Sequence, residues 1–174
     1  MVRLVVLIAM SLIASVAMAE DVHPLLRPNA TRRLTLANLL PITHVATFKG
    51  SVWVQGTLVI DWSGEPDAEP DDRLVARIDL DNSPTNRLPY FEGYEVSSVY
   101  LDANEVLDIA FSPDLAAKLR QKTVTHAELD GRFHISKYRV TVACDNADAD
   151  AHLVELKTSH TPRVSNYNQV PGCT

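Results

Sequence analysis

The fold class is decided by one stretch, Ser51-Val52-Trp53-Val54-Gln55-Gly56-Thr57-Leu58-Val59-Ile60-Asp61-Trp62. Its even-numbered positions are almost all apolar, whereas its odd-numbered positions are mostly polar. Successive side chains of a strand point to opposite faces, so this alternation predicts a long β-strand that buries its even-numbered side chains. Gly56, in the middle of the stretch, predicts a bulge or a bend.

Alternating stretches downstream predict further strands, and one stretch predicts a helix. Ser112-Pro113-Asp114 combines a capping serine, a proline at the first helical position and an acid in the first turn, so a helix is expected at about residues 112–121. A short helix is also predicted within residues 31–40. The further strands are predicted at 73–81, 95–101, 105–111, 123–135, 138–144 and 153–157, with a tight connection at Ser136-Lys137.

A long strand, further strands, a single helix and then strands again is the order of elements in an OB-fold barrel. The sequence therefore predicts a mainly β protein, an OB-fold-like antiparallel barrel of about five or six strands with the helix between strands three and four. The segment that closes the barrel is left open between 138–144 and 152–158. An antiparallel sandwich or meander with one helix is the alternative.

The chain resembles the small exported bacterial OB-fold domains, mostly of unknown function, whose first strand has the pattern V-x-V-x-G-T-L. Here that pattern is Val52-x-Val54-x-Gly56-Thr57-Leu58, and the resemblance covers about residues 50–158. It implies an exported OB-fold barrel. The chain departs from the family in having more strand candidates than five and an additional tail that contains Cys173.

Residues 1–19 have the pattern of a cleavable signal peptide. Arg3 precedes an apolar run, and Ala17-Met18-Ala19 forms the A-x-A site that signal peptidase requires. Cleavage would leave Glu20 as the first residue of a periplasmic or secreted protein with no remaining membrane segment. A membrane anchor is the alternative, although the run is shorter than the roughly 20 apolar residues that span a bilayer.

The chain is divided into a signal peptide at 1–19, an N-terminal extension at 20–49, a barrel domain at 50–160 and a C-terminal tail at 161–174. Its two cysteines, Cys144 and Cys173, both follow the cleavage site. In an oxidising compartment such a pair predicts a disulfide, which would tie the tail to the barrel. A metal pair or a reactive thiol is the alternative, but neither cysteine has further His or Cys residues at ligand spacing.

The net charge of −6 argues against nucleic acid as a partner. Two acidic loops are predicted, at 63–72 and 145–150, and an OB-fold would bring them to one rim of the barrel. Such a rim favours a cationic ligand or a basic protein. Calcium is an alternative occupant, since alternate acids are typical of calcium loops. The predicted partner-binding residues are Asp67, Asp71, Asp72, Asp148 and Asp150.

Three polar residues, His126, Glu128 and His134, share one predicted strand face. Zinc requires three or four ligands that converge on one point. Residues eight apart on a straight strand are roughly 26 Å apart. The two histidines could therefore share an ion only if the strand folded back at Asp130-Gly131. The alternative is an exposed polar face.

No nucleophile in a strained glycine-flanked turn and no phosphate-binding glycine loop is present in the sequence. No catalytic, cofactor-binding or metal-binding residue is therefore assigned, and no cofactor is expected. The sequence predicts a non-enzymatic exported binding module for a small ligand or a basic protein. The alternatives are a periplasmic inhibitor or immunity-type protein that masks a toxin or hydrolase, and an uncharacterised hydrolase.

Overall fold

The computed structural model describes residues 26–27, 33–62, 73–83, 87–143 and 146–166. These residues form nine strands and two helices, and neither helix combines the length and apolarity needed to cross a membrane. The elements are β1 (Leu26–Arg27), β2 (Leu34–Leu40), β3 (Val45–Asp61), β4 (Val75–Leu80), β5 (Tyr90–Phe91), β6 (Ser98–Leu101), α1 (Ala103–Ala110), α2 (Pro113–Arg120), β7 (His126–Ala143), β8 (Asn146–Lys157) and β9 (Arg163–Ser165).

Five strands form a closed circuit of pairings in the order β3, β4, β6, β8, β7 and back to β3. Four of these pairings are antiparallel. The fifth, between β6 and β8, is parallel and has one register pair, Tyr100 with Asp150, so the barrel is unevenly closed. The prediction of a mainly β, OB-fold-like barrel is confirmed. It was wrong in two details, because one pairing is parallel and two helices, not one, separate β6 from β7.

The long strand β3 pairs with three other strands of the sheet. It has 17 residues and pairs with β7 from Val45 to Asp61, while its other edge pairs first with β2 and then with β4. The pairing with β4 begins at Gly56, where an added Cβ would lie 2.1 Å from the backbone oxygen of Asp79. Only glycine allows this approach. The register of β3 with β7 is continuous through Gly56, so the bulge predicted as one possibility at that position is not formed.

The core lies inside the barrel, and the predicted faces of β3 and of the first half of β7 are confirmed. The buried side chains include Val52, Val54, Leu58 and Ile60 of β3 and Phe133 of β7. Val59, on the other face of β3, is also buried.

Strand β7 runs through Ser136-Lys137, so the tight connection predicted there was wrong. The register shifts between Ser136 and Arg139 in its pairing with β8, and Lys137 has a φ of 51°. A bulge adds one residue to a strand, so it changes which alternate positions face inward. The core positions accordingly pass from odd numbers, as at Ile135, to even numbers, as at Tyr138. In the sequence this change of parity was interpreted as a turn.

Helix α1 occupies residues that were predicted to form a strand at 105–111. The Asp102 side chain caps it by accepting a hydrogen bond from the Glu105 backbone N–H at 3.0 Å. Val106 and Leu107 are both buried, whereas Ile109 is 42% exposed, as helical and not strand geometry requires. Helix α2 confirms the prediction at 112–121, and the Ser112 hydroxyl accepts from the Leu115 N–H at 3.4 Å.

Strand β2 occupies most of the segment predicted to form a helix at 31–40. It pairs with the first part of β3, so both lie in one sheet although they fall within the predicted extension at 20–49. Leu34 is buried, and the rest of the strand is exposed. The favourable helix propensity of its leucines and alanine is therefore overridden by pairing with the edge of β3.

Strand β8 begins at Asn146, so most of the acidic segment at 145–150 is not a loop. Ala149 and Ala151 face the core, while Asp148 and Asp150 occupy the alternate positions. Alanine and aspartate are both uncommon in strands, which hid this alternation from the sequence. Because β8 pairs with both β6 and β7, it is the fifth strand of the barrel, and residues 138–143 belong to β7.

Candidate binding surface

The outer faces of β3, β7 and β8 form a continuous surface on which cross-strand neighbours are fixed by register. Trp53 of β3 lies opposite His134 of β7. The next outward residue of β7 is Arg132, which lies between Gln55 of β3 and Lys157 of β8. Side chains directly opposite each other in a sheet are in contact range, so the pairing pattern itself groups these residues.

Trp53 lies at the centre of a set of positively charged and aromatic side chains. The imidazole of His134 stacks on it, with ring centroids 4.9 Å apart and planes inclined by 10°. The guanidinium carbon of Arg132 lies 5.6 Å from the ring centroid and Nζ of Lys157 lies 4.8 Å from it. Both distances fall within the range of cation–π attraction. We call Trp53, Arg132, His134 and Lys157 the Trp53 cluster.

Arg132 and Lys157 are neighbouring cations, and neither lies within ion-pair distance of a carboxylate among the described residues. Several other cationic side chains do lie within that distance of an aspartate or glutamate. They include Arg27, Arg77, Lys118, Arg120, Arg139 and Arg163. In a chain of net charge −6, two neighbouring uncompensated cations make a local positive region.

The His134 ring is held against Trp53 by a hydrogen bond at one of its nitrogens, and a carboxylate lies near the other. Nε2 lies 2.8 Å from the Ser51 hydroxyl, and Nδ1 lies 3.4 Å from a carboxylate oxygen of Glu155. The hydrogen bond to Ser51 of β3 therefore orients the ring, and Glu155 of β8 lies beside it without a hydrogen bond to Nδ1.

An open cleft of about 430 Å³ adjoins the Trp53 cluster. Arg132 and Lys157 form part of its wall. Gly56 and Gly131 pair with each other across β3 and β7, and because neither has a side chain they leave space in the cleft. The complete lining is Gln55, Gly56, Thr57, Asp81, Asp130, Gly131, Arg132, Lys157, Thr158, Ser159 and His160.

On the far side of the cleft the negative charge of β7 is compensated by β9. Arg163 forms ion pairs with both Glu128 and Asp130, at 2.8 Å from Oε2 of Glu128. The Thr57 hydroxyl donates to Asp130 at 2.7 Å. The hydrogen bonds from Arg163, and then that from Thr57, hold the pKa of Asp130 down at about 2. The Arg163 hydrogen bond also lowers the pKa of Glu128. We call Arg163, Glu128 and Asp130 the Arg163 clamp.

Strand β7 is continuous through Asp130-Gly131, so the hairpin that a shared zinc site would need is not formed. His126 and His134 are therefore roughly 26 Å apart along one strand. His126 is buried and lies 3.1 Å from Glu128, so it does not belong to an exposed polar face either. Within the described ranges, no three His, Cys, Asp or Glu side chains are grouped as a metal site would require.

Of the predicted partner-binding residues, Asp148 and Asp150 lie among those that the structure describes. Asp150 accepts a hydrogen bond from Arg139 within the sheet at 2.7 Å, and Asp148 is exposed on the same strand. Asp67, Asp71 and Asp72 lie outside the described residues, as do Cys144, Cys173 and the signal peptide at 1–19. The disulfide and the signal peptide remain predictions.

The described residues that precede the two segments of the predicted acidic rim lie at opposite ends of the β3–β7 ladder, since Asp61 pairs with His126 and Val45 pairs with Thr141. At one end, which precedes residues 63–72, the Trp62 N–H donates to the Thr125 carbonyl at 2.9 Å. At the other end, next to residues 144–145, the Val142 N–H donates to the His44 carbonyl at 3.0 Å. The described residues therefore give no support to a shared rim.

The Trp53 cluster was not predicted from the sequence, although one signal was present. Trp53 is a large aromatic residue on the polar, odd-numbered face of its strand, where burial in the core does not explain it. An exposed aromatic side chain on such a face is a candidate for ligand contact. Arg132 and Lys157 come together only through the pairing of β7 with β8, and no local sequence pattern indicates that they belong to the same cluster.

A comparison of the chain with known protein families, with curated proteins and with solved structures finds no match in any of the three.

Proposed function

We propose that this protein is an exported, non-enzymatic binding module that recognises its ligand on the outer face of β3, β7 and β8. The observation that carries the proposal is the half-buried Trp53, stacked on His134 and approached by two cations beside an open cleft. Aromatic rings with a few directed polar groups are the usual composition of a ligand site.

The rigidity of this surface supports the proposal. All four residues of the Trp53 cluster lie on strands, and each is adjacent to another across a register pair or diagonal. Sites on strands hold their geometry better than sites on loops, and a preformed site loses less entropy on binding. The cleft volume of about 430 Å³ is within the range of small-ligand pockets.

The two tryptophans of the chain provide an internal control for a binding test. The indole N–H of Trp62 donates to the Leu119 carbonyl at 2.6 Å, and Lys122 covers its ring at 4.3 Å. Trp62 lies away from the Trp53 cluster, so a ligand on the proposed surface should change the NMR signal of the Trp53 indole and leave that of Trp62 in place.

The probe is a set of small-molecule fractions from the cell envelope, titrated into the mature protein. At least one fraction should shift the Trp53 indole signal saturably, and Trp53→Ala should remove that binding. If every fraction leaves Trp53 unchanged, or if the shifts fall on Trp62 alone, the proposed surface is wrong.

A second candidate function, hydrolysis, is favoured by the arrangement of Ser51, His134 and Glu155. The serine hydroxyl is 2.8 Å from Nε2 of the imidazole, and the carboxylate is 3.4 Å from Nδ1. The three groups follow the order of a serine hydrolase triad, although Nδ1 forms no hydrogen bond with the carboxylate. Because the hydrogen bond between Nδ1 and the carboxylate that a triad requires is not formed, binding is our first choice.

A fluorophosphonate probe distinguishes the two functions because it reacts with activated serines. If the protein is a serine hydrolase, the probe should label Ser51, and His134→Ala should abolish the labelling. Ser136, on the same face of β7, is the control position. Under binding alone, Ser51 should react no faster than Ser136.

A further inference from the structure

We propose that the cleft beside Trp53 binds a small organic anion, a molecule with a carboxylate or phosphate group held by Arg132 and Lys157. This inference rests on the proposed function, because it names the ligand class of the same surface. It also differs from the cationic partner that the acidic segments of the sequence predict.

The first argument is the placement of two like charges. Arg132 and Lys157 are register partners on adjacent antiparallel strands, and like charges directly opposite each other are destabilising. The ring of Trp53 attracts both cations, but it has no net charge with which to neutralise them. An anion held between the two side chains would supply the missing compensation.

The second argument is the chemistry of the donors. A guanidinium presents a planar fork that matches the two oxygens of a carboxylate or phosphate, and a lysine ammonium adds a point charge. Both groups line the cleft, together with the neutral polar residues Gln55 and Ser159. The lining can therefore bind a charged group at one end and uncharged polar groups beside it.

The third argument limits the size of the ligand. Asp81 and Asp130 line the same cleft, and the Arg163 clamp keeps Asp130 ionised. Glu155 lies beside His134 at the other side of the Trp53 cluster. The positive region is therefore bounded by carboxylates, and the net charge is −6. A long polyanion would be repelled at these boundaries, whereas a small anion fits between them.

The test uses citrate and inorganic pyrophosphate as probes, with glycerol as the neutral control. We expect at least one anion to shift the Trp53 indole signal saturably, and glycerol to leave it unchanged. Arg132→Gln should weaken the binding roughly tenfold or more, as expected for a lost charge-assisted hydrogen bond. The matched control is Arg139→Gln, which removes a charge from the same strand outside the cleft and should leave the affinity unchanged.

The possible outcomes distinguish a carboxylate ligand from a phosphate ligand, and they distinguish failure of the anion inference from failure of the proposed function. Binding of citrate alone assigns a carboxylate ligand, and binding of pyrophosphate alone assigns a phosphate ligand. If neither anion binds but an envelope fraction still shifts Trp53, the anion inference is overturned and the binding module stands. If nothing shifts Trp53, both are overturned.

Two further results would overturn the inference. One is unchanged anion affinity in Arg132→Gln or, if that variant fails to fold, in Lys157→Gln. The other is binding of single-stranded DNA more tightly than either small anion at physiological salt, which would assign a polymer and not a small molecule.

Discussion

Two regions on the same face of β7 differ in whether their charged side chains are paired with opposite charges. In the Arg163 clamp, Glu128 and Asp130 are both paired with one arginine supplied by β9. One step further along the strand, Arg132 and its neighbour Lys157 have an aromatic ring as their contact and no described carboxylate. The first region is internally satisfied, whereas the second is complete only with an added anion. The difference teaches that charge on a barrel surface identifies a binding site only where the structure leaves it uncompensated.

The largest effect is expected at the boundary that both regions share, the glycine pair Gly56 and Gly131. An alanine Cβ at 56 would lie 2.1 Å from a backbone oxygen of β4, which can move only if the strands separate. Gly56→Ala should therefore lower the free energy of unfolding by at least about 3 kcal/mol. At Gly131 the nearest atom would be 2.9 Å away, so Gly131→Ala should cost less, about 1–2 kcal/mol.

Urea denaturation of the two variants measures this difference. Equal costs at the two positions would show that β4 yields as easily as the end of β8. The boundary would then be less rigid than the contacts at Gly56 indicate.

An intermediate effect is expected from removing the clamp, and it should depend on pH. The pKa of Asp130 is about 2 in the folded protein, below the ordinary value of about 3.9. A depressed pKa stabilises the folded state fully above the ordinary value, and that stability is lost as the pH falls from about 4 to about 2. Glu128, whose pKa is also lowered, acts in the same direction.

Arg163→Ala should therefore reduce stability at neutral pH and flatten the pH dependence between about pH 4 and about pH 2. The measurement is the urea midpoint across that window in both proteins. Arg120→Ala, which breaks an exposed pair with Asp108, is the control and should leave the slope unchanged. Parallel curves for the original protein and the Arg163 variant would contradict the clamp.

The smallest effect on stability is expected at an exposed charge pair that does not line the cleft beside Trp53. Arg139 and Asp150 are paired across β7 and β8 at 2.7 Å, but each side chain is about half exposed. Such pairs contribute little in water, so Asp150→Asn should change the free energy of unfolding by no more than about 0.5 kcal/mol. A loss several times larger would mean that Asp150 also supports the narrow parallel pairing of β8 with β6.

The barrel could be predicted from the sequence where alternation is long and apolar. The faces of β3 and β7 follow from period-two patterns, and α2 follows from its cap. The prediction failed where local signals were weak or in conflict. The alternation of β8 was hidden by small side chains such as Ala149 and Ala151. In the region of α1, the apolar residues Leu107, Ile109 and Phe111 occupy alternate positions, which fitted a strand.

Less of the candidate site than of the fold could be predicted from the sequence. Acidic residues attract attention because they are numerous, yet Asp150 is neutralised within the sheet by Arg139. Trp53 was visible as an aromatic residue on a polar face. Its relation to Lys157 exists only after β7 and β8 have paired in one register, and no local pattern encodes that register.

The closure of the barrel has a consequence for the timing of folding. Strand β3 finds its longest partner in β7, which follows much later in the chain, with Val45 opposite Thr141 and Asp61 opposite His126. Contacts between such distant segments form slowly, because the intervening chain must be ordered before they stabilise it. The apolar face of β3 therefore stays open until the last third of the polypeptide is available.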